Sequence, residues 1–264
     1  MVYASGVRHM LTVAFFNGVL IVMTAIGVAA CGALFLVDAG YGRYNDRRWG
    51  PSVGNRVGWF LLESPVFAQF IAYWALSGRR FEPVPLAFFL LFTLHYGQRV
   101  LVYPLLIRGT GRVPWLVIGL ALIFNTANAY MQGAWIFWIA PADRYTPAWL
   151  TSPQFLIGVC VFLAGFAINL HSDHIMRTLR PAGDTGYHIP RGGMFEYVSA
   201  ANYFGEFVEW IGWAILTWSW AGAVFAFWTF ANLGPRAYRY HRWYQARFGG
   251  EYPASRRRMI PFVY

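Results

Sequence analysis

The chain contains no lysine: all 21 of its basic residues are arginine, set against 11 acidic residues for a formal charge of +10. Without lysine there is no GxxxxGK phosphate loop, and no GxGxxG occurs either. Any nucleotide would therefore be held without a P-loop or Rossmann frame. Cysteine is nearly as scarce. Cys31 and Cys160 lie far apart inside apolar runs, which excludes CxxC and zinc spacings and leaves two small buried hydrophobes. His171 and His174 flank Asp173, but no third ligand is suggested, so no metal is expected. Internal repeats and low-complexity linkers are missing, and residues 1–264 read as one domain. The arginines lie mostly between apolar runs rather than along a stripe of a soluble domain, which argues for membrane-protein loops and against a nucleic-acid partner.

What is abundant is apolar surface. Hydrophobic residues make up 58% of the chain and aromatics 20%, including 13 Trp, with a mean hydropathy of +0.41. Apolar runs at about 11–37, 58–78, 85–107, 114–140, 153–180, 201–219 and 221–247 are each long enough to cross a hydrocarbon core of roughly 30 Å. The expected architecture is all-α and polytopic, with about seven transmembrane helices around a polar cavity. Six spans plus a re-entrant segment is the alternative. The first run reads as a retained span rather than a signal peptide. Loop arginines set the orientation: Arg43, Arg47, Arg48, Arg56, Arg108, Arg112, Arg180, Arg191 and the tail lie on one side, against Arg8, Arg79, Arg80 and Arg144. This bias puts the C-terminus in the cytoplasm. In a bacterium the membrane would be the inner one.

Polar residues inside these runs fall into stripes. Asn202, Glu206 and Glu209 share one helix face, as do Asn169, Asp173, Arg177 and Arg180, and also Tyr96, Arg99 and Tyr103. Glu63 stands two residues before Pro65 in the second run. Carboxylates in an apolar helix are expensive and by default mark function, the alternative being a helix end with its acids in headgroup water. One stripe serves as well for helix–helix glue; four helices carrying such stripes argue for a shared cavity. Its arginines, asparagines and tyrosines suit phosphates and amides. The Arg- and Tyr-rich stretch from Arg236 to Tyr244 reads equally as a headgroup anchor. Gly192-Gly193, after Pro190, allows φ above zero in the loop that leads into the sixth run.

Several of these stretches together resemble the steroid 5α-reductase family. They are YGRY at 41–44, WFLLESP at 59–65, HYGQR at 95–99 with Tyr103, INLHSDHIMRTLR at 168–180, the stretch from Tyr187 to Trp213, LGPRAYRYHRWYQARF, and YPASRRRMIPFVY. The signature is strongest from about residue 115 onward. The resemblance implies a seven-helix enzyme that binds NADPH from the cytoplasmic side and reduces the Δ4 bond of 3-oxo-Δ4-steroids; the steroid is expected to enter from the bilayer, and the chain to be a monomer among membrane lipids. It implies that Glu63 and Tyr96 meet the 3-keto oxygen. The positions implied to line the cofactor are Asn169, Asp173, Arg180, Tyr187, Asn202, Glu206, Arg236, Tyr240 and Tyr244, with Trp59, Arg99, Tyr103 and Arg108 as further carry-overs. Two departures stand out: Leu62 replaces a common glutamine, and Tyr240 a frequent histidine. The rival readings are a sterol reductase acting on another double bond, a membrane methyltransferase of the isoprenylcysteine type, and a transporter. The last lacks inverted repeats and paired broken helices.

Overall fold

The computed structural model describes residues 2–37, 49–108, 111–179, 184 and 186–264. The YGRY stretch, Arg43, Arg47, Arg48 and Arg180 lie outside the described residues. Among these residues there are seven long helices. They are α1 (Val2–Leu36), α2 (Asn55–Ala75), α3 (Pro83–Leu106), α4 (Trp115–Ala134), α5 (Pro153–Thr178), α6 (Ala201–Thr217) and α7 (Trp220–Phe248). Each falls on one of the expected apolar runs, although α1 starts earlier, at Val2. Three segments, Thr12–Leu36, Pro83–Leu106 and Pro153–Thr178, have the length and apolar composition to cross a membrane, and they mark a membrane protein.

Helix limits follow local chemistry. Proline at the first turn opens α3, where a missing N–H loses no bond. Ser219 caps α7 by accepting from the Gly222 N–H at 3.0 Å. Trp218, at φ 46°, makes the left-handed turn that ends α6. A π turn at Gln98–Val102 interrupts α3, and a second, Trp135–Ile139, follows α4.

Contacts divide the chain into two compact units: residues 1–26 with 39–155, and residues 27–38 with 156–264. In the first, α2 packs against α3 and α4. Ser52–Gly54 pairs antiparallel with Arg112–Pro114. Both segments lie where the sequence reads as loop, because strands of three residues show no period. Pro65 lies inside α2 and leaves the Leu61 carbonyl without its helical donor. Next to that opened turn, Asn125 of α4 donates to the Leu62 carbonyl at 2.6 Å. The core here is aromatic: Phe70, fully buried, stacks on Phe92 at 4.0 Å and meets Phe137 edge-on at 5.4 Å.

The second unit is joined differently. Gly158 and Gly165 of α5 lie against Gly212 and Gly205 of α6, backbone on backbone. A β-carbon at Gly165 would lie 2.2 Å from the Glu209 nitrogen, and one at Gly212 would lie 2.3 Å from the Phe162 nitrogen. Small residues let membrane helices approach this closely. On the other side of α6, Tyr203 packs with Leu233 and Ala237 of α7 and with Met259 of the tail. The tail returns to the loop before α6, where Ser199 N–H donates to the Arg257 carbonyl at 2.8 Å and Arg257 N–H to the Tyr197 carbonyl at 2.8 Å.

Candidate active site

In the first unit, α3 places Tyr96 in the aromatic core, 3% exposed and 4.7 Å from the Phe92 ring. Its hydroxyl is reached from α4. Gln132 Nε2 donates to Asn128 Oδ1 at 3.2 Å, and Asn128 Nδ2 donates to the Tyr96 oxygen at 3.4 Å. All three side chains are buried. The amide N–H that donates to the phenol oxygen fixes the position of that hydroxyl. Glu63, half-buried, lies in the turn of α2 opened by Pro65.

The π turn of α3 carries Arg99, which is 6% exposed. Its guanidinium lies 5.0 Å from the Tyr103 ring, and Trp59 of α2 meets the same ring edge-on at 5.1 Å. Trp59, Arg99 and Tyr103 therefore form one group. π turns inside helices frequently mark functional sites. Arg108 is exposed, just past the end of α3.

In the second unit, the glycine seam brings Asn169 and Asp173 of α5 to the start of α6. Asn169 Nδ2 donates to the Asn202 carbonyl at 2.9 Å, and Asn202 Nδ2 donates to Asp173 Oδ1 at 3.3 Å. Glu206 follows one turn along α6 and is partly buried, while Glu209 is fully buried against Gly165. That placement rules out headgroup water around Glu209. A second group forms on α7: the Arg236 guanidinium lies 5.1 Å from the Tyr203 ring, and Tyr203 O–H donates to the Tyr240 oxygen at 3.2 Å with the rings stacked.

Two other expected residues lie in aromatic groups. Tyr187 meets Trp243 edge-on at 4.8 Å. Tyr244, 3% exposed, stacks on Tyr252 of the tail at 5.4 Å. Gly192 and Gly193 adopt φ of 89° and 52°, as their loop position requires. Gly193 also faces His171, where a β-carbon would lie 2.7 Å from the ring.

The site residues that sequence reasoning passed over are Asn128 and Gln132. The available signal was three amides, Asn125, Asn128 and Gln132, at i, i+3 and i+7 in an otherwise apolar run.

The donor set fits a nicotinamide dinucleotide. Arg236 offers a guanidinium for phosphate, and the Asn169–Asn202–Asp173 chain mixes amide donors with acceptors as a carboxamide needs.

Comparison with known proteins bears on the chain as a whole. Residues 112–264 match the family model described as 3-oxo-5-alpha-steroid 4-dehydrogenase. The chain is 44% identical over 243 residues to 3-oxo-5-alpha-steroid 4-dehydrogenase 1 of Macaca fascicularis, covering 91% of this chain and 90% of that one. With the protein of the same name from Homo sapiens it shares 43% identity over 242 residues, 91% of this chain and 92% of the other. With steroid 5-alpha-reductase DET2 of Arabidopsis thaliana it shares 38% over 256 residues, 95% and 97% of the two chains. A buried tyrosine held by amides, an acid in the helix turn before a proline and an arginine-bearing aromatic group thus sit in a chain that belongs to the 3-oxo-5-alpha-steroid 4-dehydrogenase family.

Proposed function

We propose that this protein is an NADPH-dependent steroid 5α-reductase, which saturates the Δ4 bond of 3-oxo-Δ4-steroids. The observation that carries the reading is the amide chain Gln132–Asn128–Tyr96, which aims a buried phenol as a donor. The named relatives are dehydrogenases and reductases, which favours this over a methyltransferase.

When bound, NADPH supplies a hydride to the β-carbon of the enone. Negative charge then grows on the 3-keto oxygen, and Tyr96 with a protonated Glu63 donates to it, as an oxyanion hole does. A proton then goes to the α-carbon, completing uptake of one hydride and one proton. The second unit would hold the cofactor through Asn169, Asp173, Asn202, Glu206, Arg236 and Tyr240, and Arg180 is a further cofactor residue by family resemblance. Tyr187 and Tyr244 close the aromatic side. Trp59, Arg99, Tyr103 and Arg108 of the first unit would serve cofactor binding by family resemblance. The chain works as one reductase domain and a monomer. All seven helices cross the membrane with the C-terminus in the cytoplasm, and the steroid enters from the bilayer.

The test is NADPH oxidation by the purified chain in detergent with a Δ4-3-ketosteroid, together with product stereochemistry. Steroid-dependent oxidation giving the 5α product is expected. A 5β product, or oxidation indifferent to steroid, would overturn the reading.

A further inference from the structure

Each of the two residues assigned to the steroid carbonyl stands beside a break in its helical ladder. Pro65 lies two residues after Glu63 and removes a donor from α2. The π turn of α3 begins at Gln98, two residues after Tyr96. Helical regularity alone therefore does not fix where either group points. By contrast α4 is regular from Trp115 to Ala134, and it reaches both places with amides from one face. Asn125 Nδ2 donates to the Leu62 carbonyl at 2.6 Å, and Asn128 Nδ2 donates to the Tyr96 oxygen at 3.4 Å. Three residues of rise set the two amides about 4.5 Å apart along the axis.

The Leu62 carbonyl belongs to the peptide whose nitrogen is that of Glu63. A helical carbonyl spends one lone pair on its ladder and keeps a second, which is the one Asn125 can take. Holding that peptide plane fixes one side of the Glu63 α-carbon. The Leu62 side chain is pinned as well. It is buried and packs with Val113 and Ile118. One turn earlier, a β-carbon at Gly58 would lie 2.6 Å from Val113. Asn125 is itself only 6% exposed. An amide buried in an apolar run costs more than a leucine unless its hydrogen bond is made, so packing alone does not account for it.

We infer that Asn125 is a positioning residue for Glu63, and that the Asn125–Asn128 face of α4 sets the spacing of the two groups that meet the keto oxygen. This rests on the reductase reading and adds a residue to it. Donors to a developing oxyanion act over about 2.7–3.1 Å, and a misplacement of about 1 Å can cost about 10²-fold in rate. Amides that bridge membrane helices also serve as plain glue, and the two roles predict different couplings.

The test is a double-mutant cycle in the full chain in neutral detergent, read by single-turnover NADPH oxidation with saturating NADPH and a Δ4-3-ketosteroid. Asn125→Leu keeps the size of the side chain and removes the donor. It should lower the rate about ten- to a hundredfold in the wild-type background, with NADPH affinity unchanged. In the Glu63→Ala background no carboxyl remains to be positioned, and the same change should lower the rate by less than about twofold. Glue would act alike in both backgrounds. Tryptophan fluorescence on heating checks that each variant is folded; if Asn125→Leu is not, the smaller Asn125→Ser runs the same cycle. Equal losses in the two backgrounds, or a wild-type rate in the Asn125 variant, overturn the inference and leave the reductase reading standing. A wild-type chain without steroid-dependent oxidation overturns that reading, and the inference with it.

Discussion

The α2–α4 pair of the first unit and the α5–α6 pair of the second both bury polar groups in apolar surroundings, yet they are joined by opposite means. Between α2 and α4 the contact is made by side chains. Asn125 bonds the Leu62 carbonyl, Gln69 donates to the Thr126 hydroxyl at 3.1 Å, and the Tyr73 ring lies over Gly133. Between α5 and α6 it is made by backbone, through four glycines, two on each helix and seven residues apart. Side chains can rotate and absorb a change; backbones in contact cannot. The residues assigned to the steroid carbonyl therefore sit in an adjustable environment, and those assigned to the cofactor sit on a fixed one.

The strongest way to break this comparison is to put the same kind of insult into both pairs. Gly165→Ala should abolish folding or cost more than about 4 kcal/mol, because its β-carbon would meet Glu209 and Gly205 backbone. Gly133→Ala, which meets only the Tyr73 side chain, should cost about 1–3 kcal/mol. Thermal unfolding in detergent reads both, and equal losses would erase the distinction.

Next in size is the chemical step. Tyr96→Phe and Glu63→Ala should each lower the single-turnover rate by ~10²–10³, the usual effect of losing an oxyanion donor, with NADPH binding unchanged. Glu63→Gln keeps an N–H donor and should retain more activity than Glu63→Ala. Near-normal turnover in both Tyr96→Phe and Glu63→Ala would remove the pair from the mechanism.

Smaller again, and confined to the second unit, is Arg236→Ala. It should weaken NADPH by about 1.5–3 kcal/mol in a binding titration, while leaving the steroid-dependent step intact once cofactor saturates. Unchanged affinity would exclude Arg236 from the cofactor site.

The mildest effect is expected from alkali. Burial raises the Tyr252 phenol above its ordinary 10.0, opposed in part by the Ser199 hydroxyl and Arg256. Burial likewise raises Tyr145, opposed by Trp135 and Arg144. A raised tyrosine keeps its proton when folded and loses it first when unfolded. The stabilisation is thus complete below pH 10 and disappears as pH rises through the folded values, at about 1.4 kcal/mol per unit of separation for each group. Unfolding temperatures measured across that range should fall, and Tyr252→Phe should flatten the fall.

Helix placement was legible because apolar length is a one-dimensional signal: Pro83, Pro153 and the Trp218–Ser219 turn punctuate runs that are otherwise continuous. The stripe Asn169–Asp173 and the residues Asn202 and Glu206 were likewise readable from helical spacing, and the structure joins three of them by hydrogen bonds. What periodicity could not show were contacts that pair distant segments. Ser52–Gly54 and Arg112–Pro114 are too short to alternate visibly. The glycine seam has no side chain to register on any apolar scale. Asn128 is one amide among several until Tyr96 is set beside it. Arg256 looked like one charge of a basic tail, since only the fold shows that it is buried.

The glycine seam also limits how the molecule can move. Sliding α5 along α6 would bring β-carbons against backbone until glycine again faced glycine, seven residues or roughly 10.5 Å further on. No small shear fits between those registers, so the two helices travel as one body. Whatever opens to admit and release a ligand therefore carries this pair whole or leaves it still.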